Sequence, residues 1–261
     1  MIHKTAIISK KANIHNNIKI GPYCIIDENV KIDEGTELIS HVHITGNTNI
    51  GKNNKFYPFS SIGFNPQDKK FSGEKSFLEI GNDNIIREHV TISPGTKGDN
   101  LLTSLKNNCL IMIGSHIAHD CELGSNVILV NNATLGGHVK IDDNAIIGGN
   151  SAVHQFVHIG KSAMIGGMSG VGKNIIPYGL YMGIRENLRG LNIIGLKRNN
   201  ISSEKINLIT SIFKKIFNKD NNIEQNIDLL TDEEKNIQQI NDMINFIKLN
   251  LKRGLCKYID D

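Results

Sequence analysis

The side chains best suited to chemistry in this sequence are histidines that recur with a fixed spacing. His119 is followed eighteen residues later by Gly137, and Asp120 is followed eighteen residues later by His138. A backbone that completes one lap every eighteen residues would stack these side chains along a single edge. The residues that this step brings together are His119, Asp120, Gly136, Gly137, His138, His154 and Gln155.

Acid–base chemistry is what this group of residues predicts. A histidine that titrates near neutral pH can act as a general base toward a hydroxyl. A neighbouring carboxylate such as Asp120 would fix the tautomer of His119 and stabilise its imidazolium form. The backbone N–H of Gly137 could bind a developing oxyanion. Because the sequence has no nucleophile motif such as GxSxG, direct attack by a substrate hydroxyl is the simpler scheme. A rival use of clustered histidines is zinc binding, which needs three ligands and an open position.

A six-residue repeat would supply the required lap. Every sixth residue is large and apolar from Ile2 to Ile62, from Ile80 to Ile92 and from Ile111 to Val171. A smaller residue stands two positions before each of these, and glycine often follows directly after. A period of six fits neither an α-helix nor a coiled coil. It fits a short strand and a tight corner, where Gly and Asn tolerate a positive φ. Three such sides close a coil of eighteen residues, so the pattern predicts a parallel β-helix of about eight coils.

Two irregular segments interrupt the repeat, at about residues 63–79 and 94–110. Loops of this length inside a compact solenoid are typically functional, so we expect both to contribute to a site.

The repeat ends near Tyr178, and beyond it the apolar spacing becomes helical. Thr231 and Glu234 form a capping-box signature before a second apolar run that starts at Ile237. The sequence therefore predicts a β-helix domain over residues 1–184 and a C-terminal helical domain over residues 185–261.

Composition excludes several classes of protein. With 39% hydrophobic and 21% charged residues the chain is typical of a globular protein. Aromatic residues are 5%, there is no Trp and the net charge is +3, so we expect no nucleic-acid partner. No apolar run is long enough to span a membrane, and no signal peptide is visible. The four cysteines form no CxxC pair. We therefore expect reduced, packed thiols and a cytoplasmic location.

The segments around these residues resemble a known family. They are HIAHDC (116–121), NNATLGGHV (131–139), AVHQF (152–156) and GLNIIGLKR (190–198). They resemble the UDP-N-acetylglucosamine O-acyltransferases of lipid A biosynthesis, and the likeness runs nearly end to end. The resemblance implies a left-handed parallel β-helix with a C-terminal helical domain, a homotrimer, and no cofactor or metal. It also implies transfer of an (R)-3-hydroxyacyl chain from acyl carrier protein to the glucosamine 3-hydroxyl of UDP-N-acetylglucosamine.

The same resemblance implies a role for each site residue. His119 would be the general base, Asp120 would orient it, and the Gly137 N–H would hold the thioester oxyanion. Four residues would contact the sugar, its diphosphate or the acyl hydroxyl: His116, His138, His154 and Gln155. Asp68 and Lys70 match substrate-binding positions that reach across from a neighbouring protomer. Asn192 and Arg198 match contacts to the nucleotide and phosphate, and Gly167 matches the position that limits acyl length.

Three other functions remain open at this point. A γ-class carbonic anhydrase shares the fold, but its ligands include a His-x4-His pair, whereas here the spacings are x2 between His116 and His119 and x3 between His154 and His158. A non-enzymatic scaffold would need no chemistry at the edge. The related N-acyltransferase of the same pathway lacks the GLNIIGLKR segment and carries an N-terminal uridine-binding domain, for which the repeat beginning at Ile2 leaves no space.

Overall fold

Short strands that each carry one large inward residue form three sheets, which are the sides of a triangular prism. A computed structural model describes residues 1–183, 187–251 and 254–258 of the chain. Residue i pairs with residue i+18 where no loop intervenes, so Ile7 lies beside Ile25 and Ile117 beside Leu135. The architecture is a parallel β-helix, as the six-residue repeat predicts.

The sheets are numbered in the order in which the chain first reaches them. Sheet 1 contains Ile7–Ile8, Ile25–Ile26, His43–Ile44, Ser61–Ile62, Thr91–Ile92, His116–Ile117, Thr134–Leu135, Ala152–Val153 and Gly170–Val171. Sheet 2 contains Asn13–Ile14, Lys31–Ile32, Asn47–Ile50, Phe77–Ile80, Leu102–Leu105, Glu122–Leu123, Lys140–Ile141 and His158–Ile159.

Sheet 3 completes the prism and continues into the C-terminal part of the chain. It contains Lys19–Ile20, Glu37–Leu38, Lys55–Phe56, Ile85–Ile86, Leu110–Ile111, Ile128–Leu129, Ile146–Ile147, Met164–Ile165, Gly179–Tyr181, Asn187–Leu191 and Lys257–Tyr258. The strand Asn187–Leu191 runs antiparallel to Gly179–Tyr181, which ends the helical winding.

The centre of the prism is apolar, but one of its inward columns contains hydrogen-bonded amides. From Ile20 onward the large inward residues are almost fully buried. Among the smaller inward residues, Asn54 and Asn84 are 1% and 0% exposed. The Asn54 Oδ1 atom accepts from the Asn84 backbone N–H at 2.9 Å, and the Asn84 Oδ1 atom accepts from the Cys109 N–H at 2.8 Å. Each buried amide is therefore satisfied by the coils above and below it.

The recurring glycines do not supply the positive φ that the sequence predicts for them. Positive φ occurs two residues later, at residues such as Asn53 and Asp83. At Gly148 and Gly124 the requirement is space, because a Cβ atom would lie 2.5 Å from the Gly167 N atom and 2.4 Å from the Asp143 Oδ1 atom, respectively. The stacking distance between coils, and not the backbone dihedral, selects glycine there.

Both interrupting loops leave the prism at the edge between sheets 1 and 2. The first covers residues 63–76 and the second covers residues 93–101. Both are shorter than predicted, because Phe77–Ile80 and Leu102–Leu105 alternate outward and inward side chains and join sheet 2.

Within the described residues, five helices follow the strand Asn187–Leu191. They are α1 (Ile193–Arg198), α2 (Ser203–Ile216), α3 (Ile223–Asp228), α4 (Asp232–Lys235) and α5 (Gln238–Asn250). The predicted apolar face of α2 is buried, including Ile206 and Ile209. The Thr231–Glu234 capping box is present, but it begins the short helix α4 and not the long helix α5.

The last helix packs on the final coil of the prism. The Phe246 ring lies 4.5 Å from the His158 ring, measured between centroids. The predicted boundary between residues 184 and 185 falls outside the described residues, so the division into two domains stays a prediction. Within the described chain no helix has both the length and the apolar character needed to cross a membrane.

Candidate active site

The three histidines of the predicted column lie on one edge of the prism. His119, His138 and His154 occupy successive turns between sheet 1 and sheet 2. The backbone N–H of His138 donates to the His119 carbonyl at 3.0 Å, and the N–H of Phe156 donates to the Gly137 carbonyl at 2.9 Å. The eighteen-residue step therefore brings these turns together as the sequence predicts.

His119 and Asp120 form a hydrogen-bonded pair at the centre of this edge. The His119 Nδ1 atom lies 2.8 Å from the Asp120 Oδ2 atom. Because a carboxylate only accepts, the Nδ1 atom carries the proton and donates it to Asp120. The Nε2 atom of a neutral His119 is then an acceptor without a hydrogen-bond partner in the part of the chain that the structure describes. The His119 side chain is 14% exposed and the Asp120 side chain 1%, so the imidazole separates the carboxylate from solvent.

Hydrogen bonds with Thr96 and Thr103 hold Asp120 in place. Its Oδ1 atom accepts from the Thr96 backbone N–H at 2.9 Å, and its Oδ2 atom accepts from the Thr96 hydroxyl at 2.6 Å. Its backbone N–H donates to the Thr103 hydroxyl at 2.8 Å, and its φ is +58°. A buried carboxylate needs such donors, since burial without them is costly.

Gly137 lies directly against the His119 ring. A Cβ atom at residue 137 would be 2.5 Å from the Cε1 atom and 2.7 Å from the Nε2 atom of His119. Among the residues that the structure describes, none accepts a hydrogen bond from the Gly137 N–H. A glycine at this position therefore leaves room for the imidazole and keeps a backbone donor beside it.

His138 is held between a second carboxylate and an aromatic ring. Its Nδ1 atom donates to the Asp99 Oδ2 atom at 3.2 Å, and its ring stacks on Phe156 with centroids 4.3 Å apart and an interplanar angle of 6°. The His119 and His138 rings are perpendicular at 5.1 Å. His138 is therefore fixed in both position and plane.

The other predicted residues of this edge are less constrained. His116 lies on the outer face of sheet 1, where its Nδ1 atom is 2.7 Å from the Thr91 hydroxyl. Burial and the nearby His119 lower the pKa of His116 below its usual value, so its imidazole is neutral near pH 7. His154 and Gln155 are exposed at the next turn, and the His154 Nδ1–H donates to the Gln155 carbonyl at 3.1 Å.

Asp68 and Lys70 line a cleft beside His138. The cleft has a volume of about 320 Å³, and its walls are Asp68, Lys70, Glu74, Thr96, Lys97, Gly98, His138 and Phe156. The resemblance implies that Asp68 and Lys70 reach across from a neighbouring protomer, and this stays a prediction. Within one protomer they lie beside His138 of their own chain, and the first loop is held at this edge by Glu74, which accepts from the Lys97 N–H of the second loop at 3.0 Å.

Asn192 and Arg198 lie elsewhere on the protomer. They line a second cleft of about 290 Å³ at the edge between sheets 2 and 3, together with Ile146 and Met164. Most of the polar capacity of Asn192 is already used, since its side chain accepts from the Gly195 N–H and donates to the Ser162 carbonyl. Arg198 is exposed. One protomer therefore does not bring this cleft to His119.

Gly167 lies on the third edge, between sheets 3 and 1. A Cβ atom there would be 3.3 Å from the Gly149 carbonyl oxygen, which is tighter than an ordinary van der Waals contact. Within one protomer, Gly167 is also separate from the His119 edge.

Four residues of the site were not found from the sequence. Thr96 and Asp99 belong to the second loop and Glu74 to the first, and neither loop follows the repeat that locates residues in space. Phe156 does follow it, since it lies eighteen residues beyond His138. The signal for Phe156 was therefore present in the sequence, and the signal for the other three was not.

The edge also offers one arrangement of metal donors. Among the described residues, ligand atoms of His119, Asp120 and His138 all lie within 4.8 Å of one another. The Asp120 oxygens, however, already accept three hydrogen bonds, two of them from Thr96. A cation bound here would have to displace these donors.

Comparisons with known proteins agree over nearly the whole chain. A family model described as Udp N-acetylglucosamine O-acyltransferase, Domain 2, matches residues 174–256, and one described as bacterial transferase hexapeptide (six repeats) matches residues 103–137. The chain is 48% identical over 256 residues to the acyl-[acyl-carrier-protein]--UDP-N-acetylglucosamine O-acyltransferase of Thermodesulfovibrio yellowstonii, with 98% of this chain and 99% of the relative covered. It is 48% identical over 260 residues to the protein of the same name from Psychrobacter sp., with the same coverage.

Solved structures give the same result for the fold. The structure of LpxA from Acinetobacter baumannii has a TM-score of 0.94 at 40% identity and covers 98% of this chain and 99% of its own. The UDP-N-acetylglucosamine acyltransferase from Campylobacter jejuni has a TM-score of 0.91 at 34% identity, with 99% of this chain and 100% of that chain covered. The fold is a left-handed parallel β-helix of hexapeptide repeats followed by C-terminal helices.

Proposed function

Since the chain belongs to the UDP-N-acetylglucosamine O-acyltransferase family and is an acyl-[acyl-carrier-protein]--UDP-N-acetylglucosamine O-acyltransferase, we propose that His119 is its general base. The reaction is the first step of lipid A biosynthesis. The acyl group is an (R)-3-hydroxyacyl chain, and the acceptor is the glucosamine 3-hydroxyl. The observation that carries this proposal is the 2.8 Å bond between His119 and Asp120, next to the Gly137 N–H, which donates to no acceptor among the described residues.

The proton transfers follow from the tautomer of His119. The Nε2 atom removes the proton from the sugar hydroxyl while the oxygen attacks the thioester carbonyl carbon. A carbon–oxygen bond forms, and the carbonyl oxygen becomes an oxyanion that accepts from the Gly137 N–H. Asp120 stabilises the imidazolium formed on His119. When the tetrahedral intermediate collapses, the carbon–sulfur bond breaks and the imidazolium returns the proton to the carrier thiolate.

Substrate binding is assigned to the residues around this pair. Asp68 and Lys70 line the cleft next to His138, so they are placed to bind the polar part of a substrate whose hydroxyl lies at His119. His116, His154 and Gln155 border the same edge. A neutral His116 suits hydrogen bonds to sugar hydroxyls, since it adds no charge to the site.

The test of the base is the variant His119→Ala, with His41→Ala as a control because His41 is an exposed histidine of another edge. We expect kcat/KM to fall by about 10²-fold or more in the first and to stay unchanged in the second. Circular dichroism and oligomeric state must match the wild type. A folded His119→Ala protein with full activity would disprove the assignment.

A homotrimer with shared sites is the second part of the proposal. The outer face of sheet 3 carries an apolar stripe where a solvent-facing sheet would be polar. Its members are Ile85, Leu110, Ile128, Ile146, Met164 and Leu180. This stripe adjoins the cleft of Asn192 and Arg198, away from His119 of the same chain. A second protomer packed there would cover the stripe and add Asn192, Arg198 and Gly167 to a site completed between chains.

Complementation distinguishes shared sites from separate ones. Two inactive variants, His119→Ala and Arg198→Ala, are co-expressed with different tags and the mixed oligomer is purified. If one chain supplies His119 and its neighbour supplies Arg198, the mixed oligomer regains part of the activity. If each site belongs to one chain, every site is defective and no activity returns. The mass of the wild-type protein in solution tests the trimer directly.

We also propose a cytoplasmic location, because both substrates are water-soluble.

A further inference from the structure

The second loop, residues 93–101, crosses the edge one coil before His119 and makes its closest polar contacts through Thr96. Thr96 is 3% exposed. It donates to both oxygens of Asp120, with its backbone N–H at 2.9 Å from Oδ1 and its hydroxyl at 2.6 Å from Oδ2. No other described residue besides His119 donates to this carboxylate. The orientation of Asp120 therefore depends on Thr96.

The loop is in turn anchored by Glu74 of the first loop. The Glu74 Oε1 atom accepts from the Lys97 N–H at 3.0 Å, and its Oε2 atom accepts from the Ser72 N–H at 2.8 Å and the Ser72 hydroxyl at 3.2 Å. These donors lower the pKa of Glu74 to about 2, so its carboxylate is charged near neutral pH. The residue bound by Glu74 directly follows Thr96 in the chain.

We propose that Thr96 is a positioning residue for acyl transfer, which orients Asp120 and thereby His119, and that Glu74 holds Thr96 in place. The inference rests on the proposed role of His119 as the base. Without the Thr96 hydroxyl the Asp120 carboxylate can rotate away from the His119 Nδ1–H. A fraction of His119 then carries its proton on Nε2, and that tautomer cannot accept a proton from the sugar.

Loss of the Thr96 hydroxyl is expected to affect turnover more than substrate binding. The Thr96 hydroxyl contacts Asp120 and not Asp68 or Lys70. Its loss therefore leaves the substrate-binding side chains of the cleft unchanged. Losing a hydrogen bond to a charged group reduces the aligned fraction by about tenfold to a hundredfold. The rate constant kcat is expected to fall by that factor, with KM for the nucleotide sugar within about twofold.

The experiment compares Thr96→Val, which keeps the shape but lacks the hydroxyl, with Thr96→Ser, which keeps the hydroxyl. Thr210→Val is the control, because the Thr210 hydroxyl donates to the Ile206 carbonyl at 2.8 Å in α2, far from the site. We expect Thr96→Val to lose kcat, and Thr96→Ser and Thr210→Val to retain it. Wild-type kcat in Thr96→Val, or an equal loss in Thr96→Ser, would overturn the proposal.

A double-mutant cycle separates this inference from the proposed function. If Thr96 acts through His119, Thr96→Val causes no further loss in a His119→Ala background, and Glu74→Ala and Thr96→Val are less than additive. Full additivity with His119→Ala would overturn the positioning role while leaving His119 as the base. Full activity in His119→Ala alone would instead remove the base assignment.

Discussion

The Cα atom of Gly137 lies so close to the His119 imidazole that any side chain at residue 137 would meet the ring. The ring is the movable partner, because a Cβ atom would be 2.5 Å from its Cε1 atom while the backbone of Gly137 continues the regular coil. Residue 137 therefore has two roles: its N–H is a main-chain donor, and its lack of a side chain leaves His119 in its orientation toward Asp120.

Gly137→Ala is expected to lose activity while the protein stays folded. The new methyl group rotates His119 away from Asp120, and the loss should approach that of removing the base, about 10²-fold or more. Gly170→Ala is the matched control, because a Cβ atom at Gly170 has no neighbour within 4 Å. Steady-state kinetics and thermal melting check both variants. A fully active Gly137→Ala enzyme would contradict the close approach.

Asp99 is expected to affect substrate affinity through His138. Asp99→Ala removes the acceptor of the His138 Nδ1–H, so the imidazole can change tautomer, although the stack on Phe156 still holds its plane. Because Asp99 is partly exposed, the effect should be modest, and KM for the nucleotide sugar is expected to rise by about threefold to tenfold. Asp232→Ala, at the start of α4, serves as the control. Equal KM values in both variants would show that Asp99 is dispensable.

The buried amide column predicts a large loss of stability from one substitution. Asn84→Ala removes the acceptor of the Cys109 N–H and the donor to the Lys106 carbonyl, and leaves a cavity in the prism. Unsatisfied buried groups make the free energy of unfolding fall by about 3 kcal/mol. Asn16→Ala changes an exposed asparagine and should have little effect. Denaturant unfolding measures both, and a small change in Asn84→Ala would argue against the column.

His116 predicts how stability depends on pH. Its pKa in the folded chain lies below the ordinary 6.5, chiefly because of burial and then because of His119. Well above pH 6.5 His116 is neutral in both the folded and the unfolded chain, so its protonation does not affect the free energy of unfolding. As pH falls below it, the unfolded chain binds the proton first, so the free energy of unfolding decreases until the folded pKa is passed. His116→Gln should lose less stability on acidification than the wild type. The free energy of unfolding is measured by denaturant titration at several pH values. The same decrease with falling pH in both proteins would contradict this prediction.

The repeat explains why much of the site could be predicted from the sequence. It locates His119, His138 and Phe156 on one edge by counting alone, because each coil copies the backbone of the one before. The contacts of Thr96 and Asp99 could not be predicted, since their loop follows no period and its path depends on hydrogen bonds to Asp120 and Glu74.

Other differences have local physical causes. The repeat pattern predicts glycine for its backbone dihedral, but at Gly124 and Gly148 the close approach of the neighbouring coil requires glycine. The capping box at Thr231 predicts the start of the long helix, but such a signal indicates only where a helix begins and not how far it continues, and here it begins the short helix α4. The Asn192 amide proved to be engaged in capping α1, which spacing could not reveal.

Both loops leave the prism at the corner that carries His119, and this placement has an evolutionary consequence. A corner can gain or lose residues without altering the pairing of the strands on either side, because the next strand resumes in the same sheet. The first loop preserves the phase of the repeat and the second changes it by one residue, yet both re-enter sheet 2 in register. Descendants of this chain can therefore lengthen or rewrite the mouth of the pocket while the scaffold beneath it is inherited intact.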